Sequence, residues 1–134
     1  MAENSEGPYV TVTKGIRISV VPEYSPDQSR PANSLYVYNY TITITNSGQE
    51  TVQLLSRHWI IRDGFEHVEH VQGDGVVGKQ PNLKPGESFT YTSSCPLQTP
   101  TGTMQGSYQM RSADNKIFNA QIGEFQLAHK SLLN

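Results

Sequence analysis

With a single cysteine in 134 residues, this chain cannot form an internal disulfide, so packing and hydrogen bonding must hold it together. A lone thiol, Cys95, also suits a reducing compartment better than a secreted scaffold. Charge is scarce as well. Only 16% of residues are charged, and 10 basic against 12 acidic side chains leave a net charge of -2. The basic excess of a phosphate-backbone binder is missing, so no nucleic acid is expected as a partner. No apolar run approaches the ~18 residues that suggest a bilayer span, and the mean hydropathy is -0.51, so no membrane insertion is expected. The opening Met-Ala-Glu-Asn-Ser-Glu-Gly has neither the basic start nor the apolar stretch of a signal peptide, which makes the cytoplasm the expected location. At ~100 to 200 residues per domain there is room for one domain. A fold of this size hides roughly 68% of the surface its unfolded chain exposes, enough for a core without staples.

What the chain does have is Thr, Ser, Val and Tyr in short alternating runs broken by Gly, Pro and Asn, a composition that favours strands. Tyr9 to Val21 alternates on either side of Gly15, which is expected to mark a bulge or a switch of sheet, and Pro22 is expected to end the run. Pro22 to Ser34 reads as a surface loop. From Leu35 to Thr45, Tyr36, Tyr38, Tyr40, Ile42 and Ile44 fall on one face, a core face with a tyrosine stripe suited to a wet rim. Val52 to Arg62 reads as a central strand covered on both sides, with Leu54 and Ile60 on one face and Leu55, Trp59 and Ile61 on the other. Phe65 to Val71, loaded with Glu66, His67, Glu69 and His70, reads as an edge strand. Pro85-Gly86 presets a β-turn, Phe89 to Thr92 is a short strand, and Cys95 to Gly102 a proline-bearing connection. The final hairpin pairs Met104 to Met110 with Ile117 to Leu127, with a bulge expected at Gly123. No amphipathic helical run or fixed-period repeat is present. The chain is therefore expected to be all-β, an immunoglobulin-like antiparallel β-sandwich of about seven or eight strands over residues 9–128, flanked by a disordered tail at 1–8 and another tail at 129–134.

Four blocks resemble the bacterial ApaG family: Gln53-Leu54-Leu55-Ser56-Arg57-His58-Trp59; Val71 through Pro81, with Gly73-Asp74-Gly75-Val76-Val77-Gly78-Lys79 inside it; Leu83-Lys84-Pro85-Gly86-Glu87-Ser88-Phe89; and Gly102 through Met110. They stand in order across roughly residues 9 to 127. The resemblance implies a fibronectin type III-like sandwich. Related domains attached to eukaryotic F-box and polymerase-associated proteins imply a protein-interaction role, and no settled enzyme activity is implied. The family's other name, CorD, implies an association with cobalt tolerance and magnesium transport, and the name ApaG reflects genetic neighbourhood with a diadenosine tetraphosphate hydrolase.

Among the residues themselves, Gly73-x-Gly75-x-x-Gly78 spells a dinucleotide fingerprint, but the helix that would hold pyrophosphate is missing, with Pro81 and Pro85 close behind. Gly73 to Lys79 nearly spells a P-loop, yet Gln80 stands where a Mg²⁺-binding hydroxyl belongs. What survives is an anion nest: the amides of Gly73, Gly75 and Gly78 with the cation of Lys79, and Arg57 as a further cation. The alternative is structural, the glycines permitting positive φ while Val76 and Val77 cover the core. Arg57, between Leu55 and Trp59, needs a partner: a carboxylate such as Glu87, the rings of Tyr91 or Tyr108, or an anion. His58 reads as a core or rim histidine. His67 and His70 are the candidate metal ligands, although period two places them on opposite faces and a third ligand is required from elsewhere. Cys95 has no charged neighbour in sequence to activate it, and no Gly-x-Ser-x-Gly elbow or His-Glu-x-x-His helix occurs.

These readings make a protein-interaction module the first expectation, acting through Pro22 to Ser34 and Gly73 to Gln80, with no cofactor and no enzyme activity. A homodimer through the tyrosine stripe is a second form of it. A phosphate- or nucleotide-binding domain, weakly hydrolytic in one form, that holds a phosphate-bearing small molecule on the Gly73 to Lys79 loop, and a divalent metal on His67 and His70, are the alternatives.

Overall fold

The computed structural model describes residues 7–132; of the tail expected over 1–8, residues 1–6 lie outside them. Among the described residues nine strands form two antiparallel sheets. The first contains β1 (Tyr9–Thr13), β2 (Ile16–Tyr24), β3 (Tyr36–Asn46) and β7 (Ser88–Leu97), in the order β1-β2-β3-β7. The second contains β5 (Val68–Asp74), β4 (Val52–Asp63), β8 (Gly102–Ser112) and β9 (Ile117–Leu127), in the order β5-β4-β8-β9, with the two-residue β6 (Asn82–Leu83) also on β4. No α-helix occurs among the described residues, so none is long and apolar enough to cross a membrane.

The alternation of β3 works as its sequence predicts: Tyr38, Tyr40, Ile42 and Ile44 are buried, and Thr41, Thr43 and Thr45 face out. Those threonines pair with Thr92, Thr90 and Ser88 across the strand boundary, cross-strand hydroxyl contacts that suit an exposed sheet face. Trp59 on β4 is 3% exposed, and its ring meets Tyr40, Tyr108 and Phe125 edge-on at 5.4, 6.3 and 6.0 Å. The core thus sits between the sheets around one indole. Buried Asn46 stitches one end, donating to Glu50 and Leu83 carbonyls and accepting from Gly48 N–H.

Five sequence expectations are corrected. Gly15 is no bulge: Lys14 and Gly15, with φ of 48° and 79°, are the two-residue turn of a β1–β2 hairpin, the primed form whose twist matches the strands. Pro22 does not end β2. Ser25 N–H bonds Val37 O, which puts the unbonded position of the β2–β3 ladder at Pro22↔Tyr40, so the proline nitrogen faces β1. There the missing donor stops the β1 ladder at Tyr9↔Val20 while β2 continues along β3. Likewise β7 runs on through Pro96 to Leu97. Asn46 N–H bonds Glu87 O, and the alternation from there points the Pro96 nitrogen at the free edge, where a strand tolerates proline. In β4 the register shifts between Leu54 and Ser56. Leu55 bulges out, and Leu54 and Trp59 reach the same buried face. Finally, of the tail expected over 129–134, residues 129–132 dock, with His129 near Tyr24 at 5.3 Å and Leu132 packed on the core, and residues 133–134 lie outside the described ones. The bulge at Gly123 is present, between Met104↔Phe125 and Gly106↔Ile122.

Candidate functional site

The two long sides of the sandwich differ. Where β1 lies over β9, Thr11 and Thr13 hydroxyls accept from Gly123 and Gln121 amides at 3.0 and 3.1 Å, which satisfies part of the free edge of β9. The opposite side, where β5 and β7 are the edges, stays open as a groove of about 390 Å³ lined by Leu35, Ile61, Val68, Pro96 and Leu97, with Asp63, His67 and Glu69 among its polar groups. Its rim is the β4–β5 hairpin. Asp63 Oδ1 accepts the Phe65 and His67 amides at 2.8 and 3.0 Å, an Asx turn that fixes the tip, and Phe65 stands there 71% exposed. Glu69 points to the inter-sheet side beside Ile61 and forms no ion pair among the described residues.

The glycine loop is turned inward on itself. Gly75 N–H bonds Leu55 O, and Val76 and Lys79 exchange both backbone bonds at 2.8 and 2.9 Å around Val77 and Gly78. The amides of Gly75 and Lys79 are therefore committed, and Gly73 lies within β5, paired with Arg57. Gly78 is at positive φ, 79°, a turn geometry, and Lys79 is exposed. A Cβ on Gly75 would meet Lys79 O at 2.3 Å, so the glycine there has a steric reason. Val76 is fully buried, as the structural reading expects, but Val77 is exposed. Arg57 is not paired with Glu87: its Nη1 donates to Asp74 and Gly75 carbonyls at 3.0 and 2.9 Å. Its guanidinium lies against Gly73, where a Cβ would come within 2.9 Å. Glu87 instead accepts the Lys84 amide. The Arg57 cation acts on the tyrosines only through space, favouring their ionised forms slightly against the burial that raises Tyr40, Tyr91 and Tyr108. Tyr91 and Tyr108 hydroxyls bond each other in the core.

The histidines take separate partners. His67 Nδ1 lies 3.4 Å from Asp63 Oδ2, whereas His70 Nδ1 lies 2.9 Å from Nε2 of His58 on the neighbouring strand. The 30° angle between these rings and their 5.1 Å centroid separation put the two nitrogens on one imidazole-to-imidazole hydrogen bond. Among the described residues no three His, Cys, Asp or Glu side chains gather as a metal would require. Cys95 is buried, and burial, with a smaller push from Glu69, raises its thiol to about 12; such a thiol is no nucleophile at neutral pH. The sequence missed the groove because its walls come from strands far apart in the chain. The signal was present in Phe89, Tyr91, Cys95 and Leu97, whose common parity runs straight through Pro96.

Fold and surface together define a small antiparallel sandwich domain with one zipped side and one open side. The ApaG domain model matches residues 26–112. Protein ApaG of Methylobacterium sp. (strain 4-46) is 52% identical over 119 residues, covering 89% of this chain and 92% of that one; Protein ApaG of Caulobacter vibrioides is 49% identical, covering 89% and 85%. A crystal structure described as the ApaA protein of Bordetella pertussis superposes with a TM-score of 0.83 at 52% identity, covering 85% of this chain and 93% of that one. The chain belongs to the ApaG family.

Proposed function

We propose that this protein is an interaction module that binds another protein through the open side of its sandwich. The observation that carries the reading is the groove between β5 and β7, where Leu35, Ile61 and Val68 stay accessible over a floor that includes buried Leu97, beneath an exposed Phe65. Aromatic and aliphatic side chains at a polar-rimmed concavity are what a partner's anchor residue needs. Commitment of the Gly75 and Lys79 amides within the loop leaves a phosphate ligand with little to hold it, so no second reading is favoured.

The test is affinity capture of the full chain from its host, quantified by mass spectrometry beside a Phe65→Ser, Val68→Ser double variant. Both side chains are exposed, so the variant folds. The expected result is one or more proteins captured near stoichiometry by the wild type and lost by the variant. Identical captures from the two would overturn the reading.

A further inference from the structure

Four edge strands bound the two sheets, and three of them are protected. β9 has hydroxyls of Thr11 and Thr13 on its edge amides. β1 has only five residues and lies against β9. β7 carries Pro96 at an outward position, so its edge lacks a donor beside the groove. β5 has none of these three devices and is guarded only by charge, the inward-pointing Glu69, which a complementary cation would neutralise. Asp63 N–H bonds His67 O and Gly75 N–H bonds Leu55 O. These two bonds bracket the β4–β5 ladder and set its phase: Glu69, Val71 and Gly73 bond β4, leaving the amides of Val68, His70, Gln72 and Asp74 and the carbonyls of Val68, His70 and Gln72 on the free edge, while the Asp74 carbonyl accepts from Arg57. That is a strand's worth of unpaired backbone beside an apolar groove.

The charge of this edge selects what fits it. Residues 63–78 contain four carboxylates, Asp63, Glu66, Glu69 and Asp74, and no Lys or Arg. Arg62 just before them pairs with Glu66 and His67 lies near Asp63, so Glu69 and Asp74, the two carboxylates on β5 itself, are the ones with no ion pair among the described residues. A second copy of the chain would lay this acidic segment against itself, and like charges across a strand pair are destabilising. A cationic segment is complementary. Resting on the protein-binding reading above, we infer that β5 is a docking edge that takes an extended, Lys- or Arg-bearing segment of a partner protein as an added strand. Backbone bonds to His70 and Gln72 supply affinity, and alternate side chains supply choice. On the groove side a cation meets Glu69, and an apolar residue two positions away lies on Ile61 and Leu97. On the outer side the added strand runs past the His58–His70 pair.

Selection of displayed random peptides of about nine residues, long enough to cover β5, tests this with the full chain. Expected peptides alternate and carry Lys or Arg next-but-one to an apolar residue. With such a peptide bound, the His70 and Gln72 amides gain protection from hydrogen exchange, and Glu69→Lys weakens binding by about tenfold or more. N-methylation of the peptide backbone at alternate positions abolishes binding while leaving its side chains intact, which removes any doubt about variant folding. Peptides that bind elsewhere, insensitive to Glu69→Lys and leaving His70 and Gln72 exchanging freely, would overturn strand addition but not protein binding. Failure to enrich any peptide would also overturn it, since an isolated segment suffices for this mode. Concentration-dependent self-association that protects the same amides would assign the edge to a second copy and reject the cationic partner. The broader reading fails separately, through the capture experiment with Phe65 and Val68.

Discussion

At the scale of single residues, Trp59 and Gly106 show how tightly the second sheet is set. Trp59 is nearly inaccessible and touches three aromatic rings, so Trp59→Ala leaves a cavity that neighbours on two sheets cannot fill together. The expected cost is about 3 to 5 kcal/mol, read as a lower urea midpoint; near-wild-type stability would contradict its place at the centre of the core. Gly106 lies opposite Trp59 in the register, and a Cβ there would stand 2.1 Å from His58 O. Because the obstacle is backbone in the middle of the sheet, Gly106→Ala is expected to cost at least about 1 to 3 kcal/mol. Arg57 is a different case. Its value lies in the two carbonyls of the Asp74–Gly75 loop, and it forms no ion pair among the described residues. Its position two residues before Trp59 was legible, as was its need for a partner. The partner was not legible, because a main-chain carbonyl seventeen residues away leaves no mark on side-chain identity.

Among elements, turns and edges carry the most information about what can change. Val77 holds a φ of 44° in the turn between Val76 and Lys79, where a β-branched residue is out of place and Asn-Gly is the favoured pair. Val77→Asn is therefore expected to raise stability by about 1 kcal/mol, seen as a higher melting temperature; a lower one would mean that exposed Val77 makes packing contacts unaccounted for. On the zipped side, Thr11→Val with Thr13→Val removes both acceptors of the β9 edge. Exchange at the Gln121 and Gly123 amides should accelerate, with about 1 kcal/mol lost per bond; unchanged exchange would assign the closure to packing alone. The same elements explain which parts of the fold could be read in advance. β3 from Tyr38 on and β9 on either side of its bulge keep a period of two, and the limits of both strands fall within one residue of those the sequence predicts. β2 and β7 were cut short at Pro22 and Pro96, because a proline is a breaker only where its nitrogen faces a partner strand, and sequence does not reveal which side of a strand is free. The bulge at Leu55 was hidden for a related reason: with apolar residues on both faces of β4, a slip of parity leaves no polar residue misplaced.

For the molecule as a whole, the core is unusually rich in groups that ionise in alkali. Tyr38, Tyr40, Tyr91, Tyr108 and Cys95 are all buried, and burial raises every one of them, Cys95 to about 12. The folded state favours their neutral, protonated forms, so unfolding releases protons once pH passes the ordinary values of a thiol and a phenol, near 9.0 and 10.0. Their contribution is fully present below those values and is lost progressively as pH rises through the raised ones. Each group contributes a slope of up to about 1.4 kcal/mol per pH unit within its window, and because the five windows overlap above pH 10 the slopes add there. The chain is thus expected to show a level denaturation midpoint from pH 7 to about 8.5 and a steep fall above pH 10, with the loss of tertiary structure accompanied by the ultraviolet signature of tyrosinate. Replacing Cys95 by Ala should remove the earliest part of the fall without altering the later part, since the thiol alone has an unfolded value below those of the tyrosines. A midpoint that stays level to pH 11 would mean that these hydroxyls reach water, and would count against the sealed core from which the open groove between β5 and β7 is distinguished.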